Sequence, residues 1–153
     1  MSRQYMDAAV RLKSSIPLDE LLQLKKCDVD FINVQYGHIT EDLEFFKKNG
    51  LTLICWNDLD ITDQIDELAA LIYGLDLVIS INSTASVLSY SVGTPTWILV
   101  EYGLGSFRDI VFGADPWFEK NTIIRQPTLG DWQGLMKIVV DKLVKFRHEK
   151  HFL

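Results

Sequence analysis

Short apolar runs alternate along this chain with amphipathic segments that have the period of an α-helix, and this alternation limits the folds open to it. Five runs have the length and β-branched content of buried strands, namely 29–34, 51–55, 77–81, 96–100 and 122–124. Helices are predicted for 18–26, 41–49, 63–73, 84–92 and from residue 131 onward. Strands that alternate with helices form βαβ units around a parallel sheet. The sequence therefore predicts an α/β fold.

The composition narrows the class of protein further. A chain of 153 residues that is 48% hydrophobic suits one globular domain. Its net charge of −6 provides no basic surface, so nucleic acid is not an expected partner. No apolar run reaches the ~20 residues of a membrane-spanning helix, so no transmembrane segment is expected. Cys27 and Cys55 stand apart without metal-ligand spacing, which indicates reduced core residues of a cytoplasmic protein.

One stretch, residues 80–99 (SINSTASVLSYSVGTPTWIL), places small polar side chains where a buried strand gives way to a helix. Turns of this kind in open α/β sheets face the crevice in which ligands bind. The first turn of a helix offers unpaired N–H groups and roughly half a positive charge, which suits a diphosphate. Two interpretations stay open: a ligand loop, or a plain helix cap followed by a Ser-rich turn that faces solvent.

Four stretches carry a similarity to a known family: SIPLDELLQL, FINVQYGHITEDL, DITDQIDELAALIYGLDLVISINSTASVLSYSVGTPTWIL and DPWFEKNTIIRQPTLGDW. They resemble the C-terminal half of GT-B glycosyltransferases, most closely the heptosyltransferase-like family 9, in the variant found downstream of tetratricopeptide repeats in bacterial proteins. The resemblance implies one domain over residues 1–153 with a Rossmann-like, three-layer αβα architecture and a mostly parallel sheet. It also implies that a nucleotide-diphosphate sugar binds as donor substrate, with no metal and no separate cofactor.

The donor motif of that family reads Asp-Thr-x-x-x-His before a helix and Gly-x-Pro, and it falls on Asn82, Ser83 and Val87. The resemblance implies donor binding by Asn82, Ser83, Thr84 and Ser86, whose amide and hydroxyls can donate to phosphate oxygens. The motif's carboxylate and imidazole are absent from this chain. An alternative function is therefore a degenerate, non-catalytic nucleotide- or sugar-binding module of the same fold, and no catalytic residue is assigned.

Further candidate donor-binding residues follow the first predicted strand and the fourth. Gln35 and Gly37 lie directly after the first strand, and Glu41 aligns with a family acid that contacts the nucleotide ribose. A carboxylate can accept both ribose hydroxyls, but the first turn of any helix also favours acids, and the two explanations carry equal weight for Glu41. Arg108 lies in a loop similar to a family Asp-Trp-Arg segment and could contact phosphate, whereas Arg125 is expected to be structural.

The family pattern includes a strand before SIPL, and residues 1–14 contain no such strand. That strand is central in a doubly wound sheet, so we expect the chain to be a fragment of a longer enzyme whose N-terminal domain binds the acceptor. Alone, the fragment is expected to be inactive in transfer. Either strand 29–34 pairs directly with strand 77–81, or the open edges are covered by residues 5–12 or by a partner chain. An edge of this kind favours self-association.

Overall fold

The structure, a computed structural model, describes residues 15–37, 39–56, 59–60, 63–103 and 121–150. Its helices are α1 (Leu18–Leu21), continued by a 3₁₀ helix (Leu22–Lys26), α2 (Thr40–Lys48), α3 (Ile65–Tyr73), α4 (Thr84–Ser91) and α5 (Trp132–Lys150). Its strands are β1 (Phe31–Ile32), β2 (Leu53–Ile54), β3 (Val78–Ser80), β4 (Thr96–Val100) and β5 (Asn121–Arg125). The predicted alternation of strands and helices is confirmed, and the fold is α/β.

The described strands all pair in parallel, but they form two sheets. In the first sheet β1 pairs with β2, with Phe31 opposite Leu53. In the second sheet β4 lies between β3 and β5, and Trp97 of β4 stands opposite Ile79 on one side and Thr122 on the other. The sequence left two alternatives for the missing central strand: direct pairing of strand 29–34 with strand 77–81, or a gap that other residues cover. The described residues do not show direct pairing, because β1 and β3 belong to different sheets.

Helices cover both faces of these sheets, which makes the arrangement three-layered and Rossmann-like. A first apolar cluster joins α1, the 3₁₀ helix, α2 and α5 to residues of both sheets; its buried members include Leu24, Phe46, Ile79, Trp97 and Leu135. A second cluster joins α3 and α4 to Val34 and Val78. Val78 and Ile79 are neighbours on β3 and enter different clusters, because successive side chains of a strand point to opposite faces.

The 19-residue helix α5 buries one side only. Leu135, Val139 and Leu143 are buried at helical spacing in the first cluster. Phe146, one turn further on, meets Trp97 of β4 edge to face with ring centroids 6.0 Å apart. In the part of the chain that the structure describes, no helix combines the length and the apolar character needed to cross a membrane.

Two predicted helix ends are confirmed by backbone geometry. Gly50 follows α2 with φ 77°, and Gly93 follows α4 with φ 82°. Only glycine adopts this left-handed conformation without steric cost, so each ends its helix and turns the chain toward the next strand. Gly50 N donates to the carbonyl of Lys47 at 3.1 Å, which satisfies one of the last helical carbonyls.

We expect Ile98→Ala to lower the free energy of unfolding by about 2 to 5 kcal/mol, because it leaves a cavity in the middle of the sheet. Ile98 lies on β4 and is 0% exposed. The matched control is Ile138→Ala on α5, where Ile138 is 36% exposed and the loss should stay below about 0.5 kcal/mol. Urea denaturation followed by circular dichroism measures both, and equal losses would contradict this assignment of the core.

Candidate functional site

The candidate site lies at the carboxyl edge of the three-stranded sheet. Since β3, β4 and β5 are parallel, the residues that follow them meet at one edge. Asn82, Ser83 and Thr84 follow β3, Tyr102 follows β4, and Gln126 follows β5. Thr84 and Tyr102 are exposed there, whereas Asn82 and Ser83 are half-buried.

Three serine hydroxyls build a rigid start for α4. The hydroxyls of Ser80 and Ser83 share a hydrogen bond of 2.9 Å. The hydroxyl of Ser86 accepts the N–H of Ser83 at 2.9 Å and donates to the carbonyl of Ser83 at 2.7 Å. Ser86 is fully buried, so its hydroxyl belongs to the helix cap and positions the turn. Among the predicted binding hydroxyls, Thr84 is the exposed one.

The first turn of α4 differs from the starts of the other described helices in its charge. Acids occupy the first turns of α1 (Asp19, Glu20), α2 (Glu41, Asp42) and α3 (Asp66, Glu67). At the start of α5, Asp131 Oδ1 accepts the N–H of Gly134 at 2.7 Å. The first turn of α4 carries no acid. The partial positive charge of its N–H groups is therefore not offset by a carboxylate of its own first turn, which suits an anionic ligand.

Buried hydroxyl groups connect α4 to β4 and to the end of α3. The hydroxyls of Ser89 and Thr96 lie 2.6 Å apart, and Thr96 Oγ1 also donates to the carbonyl of Thr94 at 2.9 Å. Thr94 Oγ1 donates to the carbonyl of Ile72, at the end of α3, at 3.0 Å. From the sequence alone, these buried hydroxyls could not be distinguished from hydroxyls that would face a ligand. One signal was present: Ser86 and Ser89 are three residues apart, which places them on one face of a helix.

Side chains of β5 and the turn after it hold the segment that follows β4. Arg125 Nη1 donates to the carbonyl of Gly103 at 2.9 Å, in line with its predicted structural role. Gln126 Oε1 accepts the N–H groups of Tyr102 and Gly130, both at 3.1 Å. No sequence signal distinguished Gln126, because its partners depend on how β4 and β5 pair.

Buried polar atoms without a hydrogen-bond partner among the described residues occur at two places that concern the site. They are Nε2 of Gln126 and the hydroxyl of Ser15, which precedes α1. A buried donor without a partner is costly, so such groups often mark a place where a ligand or water completes the hydrogen bonding. Gln126 directly follows β5, so its Nε2 is a further candidate donor at this edge.

The other predicted residues form a separate group at the carboxyl end of β1. Gln35 is buried, and Gly37 is exposed with φ 94°. Glu41 is exposed in the first turn of α2 together with Asp42, so both explanations of this acid stand. The structure places this group after the two-stranded sheet, apart from the residues that follow β3. Arg108 lies outside the described residues.

Neither cysteine is suited to act as a nucleophile. Cys27 and Cys55 are both free thiols, and burial raises the pKa of each above its usual value. The reactive thiolate is thereby disfavoured near neutral pH. Within the described ranges, no cluster of three or more His, Cys, Asp or Glu side chains could hold a metal ion. The site is thus defined by hydroxyl and amide donors.

Comparison with known proteins gives a distant similarity. The chain is 29% identical over 119 residues to Protein FlbA of Caulobacter vibrioides, a match that covers 77% of this chain. The same match covers 20% of FlbA, so the chain spans about a fifth of the length of that relative. No protein family profile matches the chain. No solved structure matches it either.

We expect Ser86→Ala to destabilise the domain by about 1 to 2 kcal/mol, because the N–H of Ser83 loses its acceptor in a half-buried turn. Ser91→Ala is the matched control at the other end of α4. Its exposed hydroxyl donates to the carbonyl of Val87 at 2.8 Å, and its removal should change stability by less than about 0.5 kcal/mol. Thermal unfolding of both variants measures the difference, and an unaffected Ser86→Ala would contradict the role of this hydroxyl in the cap.

Proposed function

We propose that this chain is the donor-binding half of a glycosyltransferase and binds a nucleotide-diphosphate sugar at the carboxyl edge of the three-stranded sheet. One observation carries the proposal: the first turn of α4 follows β3, carries no acid, and presents the exposed Thr84 at this edge. This combination suits a diphosphate, which needs fixed donors and a helix start without a carboxylate of its own.

The residues at this edge would share the binding between them. The N–H groups of the first turn of α4 and the hydroxyl of Thr84 would donate to the diphosphate. The amide of Asn82 and the unpartnered Nε2 of Gln126 are further donors close in the fold to the same edge. In the separate group at the two-stranded sheet, Glu41 would accept the ribose hydroxyls. Trp56, 55% exposed after β2, offers an aromatic face on which a base can stack.

The transfer reaction itself needs parts that these residues do not supply. We place the acceptor site and the catalytic base in a second domain of a longer chain. The much greater length of FlbA, of which this chain matches 20%, is compatible with such an arrangement. The two free cysteines favour the cytoplasm as the compartment. The described chain alone would bind donor and leave it intact.

A second candidate function is a binding module that has lost catalysis. Val87 stands where the family motif has its imidazole, and it is exposed on α4. A valine cannot donate a hydrogen bond or carry charge, so any step that relied on that imidazole would be lost. Nucleotide binding through the first turn of α4 would survive this change.

We expect the double variant Ser83→Ala, Thr84→Ala to weaken nucleotide binding roughly tenfold or more. A hydrogen bond from Thr84 to a charged oxygen contributes about 1.5 to 3 kcal/mol, and loss of the Ser83 hydroxyl also removes its bond to Ser80, which positions the turn. Calorimetric titration with UDP, ADP and GDP measures the affinity, with Ser91→Ala as the control at the far end of the same helix. Unchanged affinity for every nucleotide that binds would remove the site assignment.

We expect no sugar transfer and no turnover of a nucleotide-sugar donor by this 153-residue chain, because half of the cleft lies elsewhere. Release of free nucleoside diphosphate from labelled UDP- and ADP-sugars can be followed by chromatography. Measured transfer by the chain alone would refute the half-enzyme proposal. Transfer restored by the matching N-terminal domain of a longer homologue would favour the enzyme over the non-catalytic module.

A further inference from the structure

An open slot separates the two sheets. It is a cavity of about 540 Å³ bordered by Phe31 and Ile32 of β1 and by Val78 and Ile79 of β3. Leu143 and Phe146 of α5 line it from the face of the first apolar cluster. Apolar walls on a cavity of this size favour an apolar occupant over water.

The positions of the helices identify the slot as the point where the sheet changes direction. α1 and α2 pack in the first cluster, whereas α3 and α4 pack in the second, on the opposite face. Crossover connections between parallel strands are right-handed. A helix on one face of the sheet therefore connects strands that are added toward one edge, and a helix on the opposite face connects strands that are added toward the other edge. β1 and β2 thus extend one way and β3, β4 and β5 the other, and the strand from which both halves start belongs between β1 and β3.

Chain connectivity identifies the segment that fits this place. With a strand in the slot, the spatial order of the strands becomes β2, β1, slot strand, β3, β4, β5. If the slot strand comes first in the chain, numbering all six strands in chain order turns this into 3-2-1-4-5-6, the doubly wound order. Such a strand precedes α1. The helical segment 18–26 ends just before β1 begins, so it starts at the carboxyl edge, where a parallel strand in the slot also ends.

The residues before α1 lack the continuous apolar run of the family's central strand, but they are long enough for this position and carry one apolar face. Residues 5–12 (YMDAAVRL) extend to about 26 Å as a strand, enough to cross the sheet, and leave Lys13 and Ser14 for the turn. The apolar side chains of Met6, Ala8, Val10 and Leu12 alternate along this segment and would share one face of a strand.

Charge at the entrance of the slot supports the same occupant and direction. Asp28 and Asp30 precede β1, and Asp76 precedes β3, so three carboxylates line the end at which a parallel strand would enter. Arg147 pairs with Asp28 and is the cation among the lining residues. The entrance is therefore acidic, and Arg3, two residues ahead of the segment, would meet it on entry.

We propose that the slot is the docking site for residues 5–12 of this same chain, which enter it as a parallel strand between β1 and β3 and join the two sheets into one. The interaction is made by main-chain hydrogen bonds to both edges and by burial of the alternating apolar side chains.

Nuclear magnetic resonance of the full 153-residue chain tests the docking directly. We expect nuclear Overhauser contacts from residues 5–12 to both Phe31 and Ile79 within one molecule. In a sample that mixes labelled and unlabelled chains, isotope filtering separates contacts within a molecule from contacts between molecules. Contacts only between molecules would show that a second copy fills the slot, and the absence of contacts to either strand would show that the segment lies elsewhere; both results overturn the proposal.

A pair of matched variants gives a second readout. Val10→Asp places a charge on the apolar face of the segment, and we expect hydrogen exchange of the amides at 31–34 and 77–80 to become about tenfold faster or more. Leu129→Asp makes the same change at a side chain that is 79% exposed, and it should leave these amides unaffected. Equal exchange in Val10→Asp and the unchanged chain would contradict the docking, while the contacts measured in the unchanged chain do not depend on whether the variant folds.

Discussion

Burial of one side of α5 against both sheets is the interaction on which the rest of the structure depends. Leu135, Val139 and Leu143 of this helix share an apolar cluster with Ile79 of the three-stranded sheet and with Phe31 of the two-stranded sheet. No ladder hydrogen bonds join the two sheets across the described residues. Side-chain packing therefore holds them in one fold, and each fully buried large side chain contributes about 1.5 to 3 kcal/mol. The carboxyl edge, with its turn before α4, is positioned by this packing.

The turn before α4 shows how the start of a helix can be built from neutral groups. Serines at positions 80, 83 and 86 satisfy each other, so the turn is stable without a carboxylate. Acids stand in the first turns of α1, α2 and α3, and an acid at the start of α4 would offset the positive end of that helix. Small hydroxyl residues leave both the charge and the space at this end for a ligand.

The order of the elements and the bounds of most helices could be predicted because they depend on local patterns. Apolar runs marked the strands, and Gly50 and Gly93 marked two helix ends by a backbone conformation that other residues avoid. Features that depend on distant partners could not be predicted. β1 and β2 are only two residues long, because the length of a strand is set by how many of its residues pair with a neighbouring strand. The short 3₁₀ helix over 22–26 replaces part of a predicted α-helix. Likewise, composition showed that residues 80–99 are rich in hydroxyls, but not that Ser86 and Ser89 point into the protein. Gln126 bonds to Tyr102, 24 residues away, and no local pattern reports such a contact.

The hydroxyl chain behind α4 bears on how freely that helix can move along its own axis. Ser89, Thr96 and Thr94 connect the helix to β4 and to the last turn of α3 through contacts of 2.6 to 3.0 Å. The bond between Ser89 and Thr96 is the one of these that α4 itself makes, and a slide of one residue would carry α4 about 1.5 Å and break this buried bond. The first turn of α4 is thus held in one position before any ligand arrives. A molecule that docks there meets donors that are already in place, and little conformational entropy of the protein is lost when it binds.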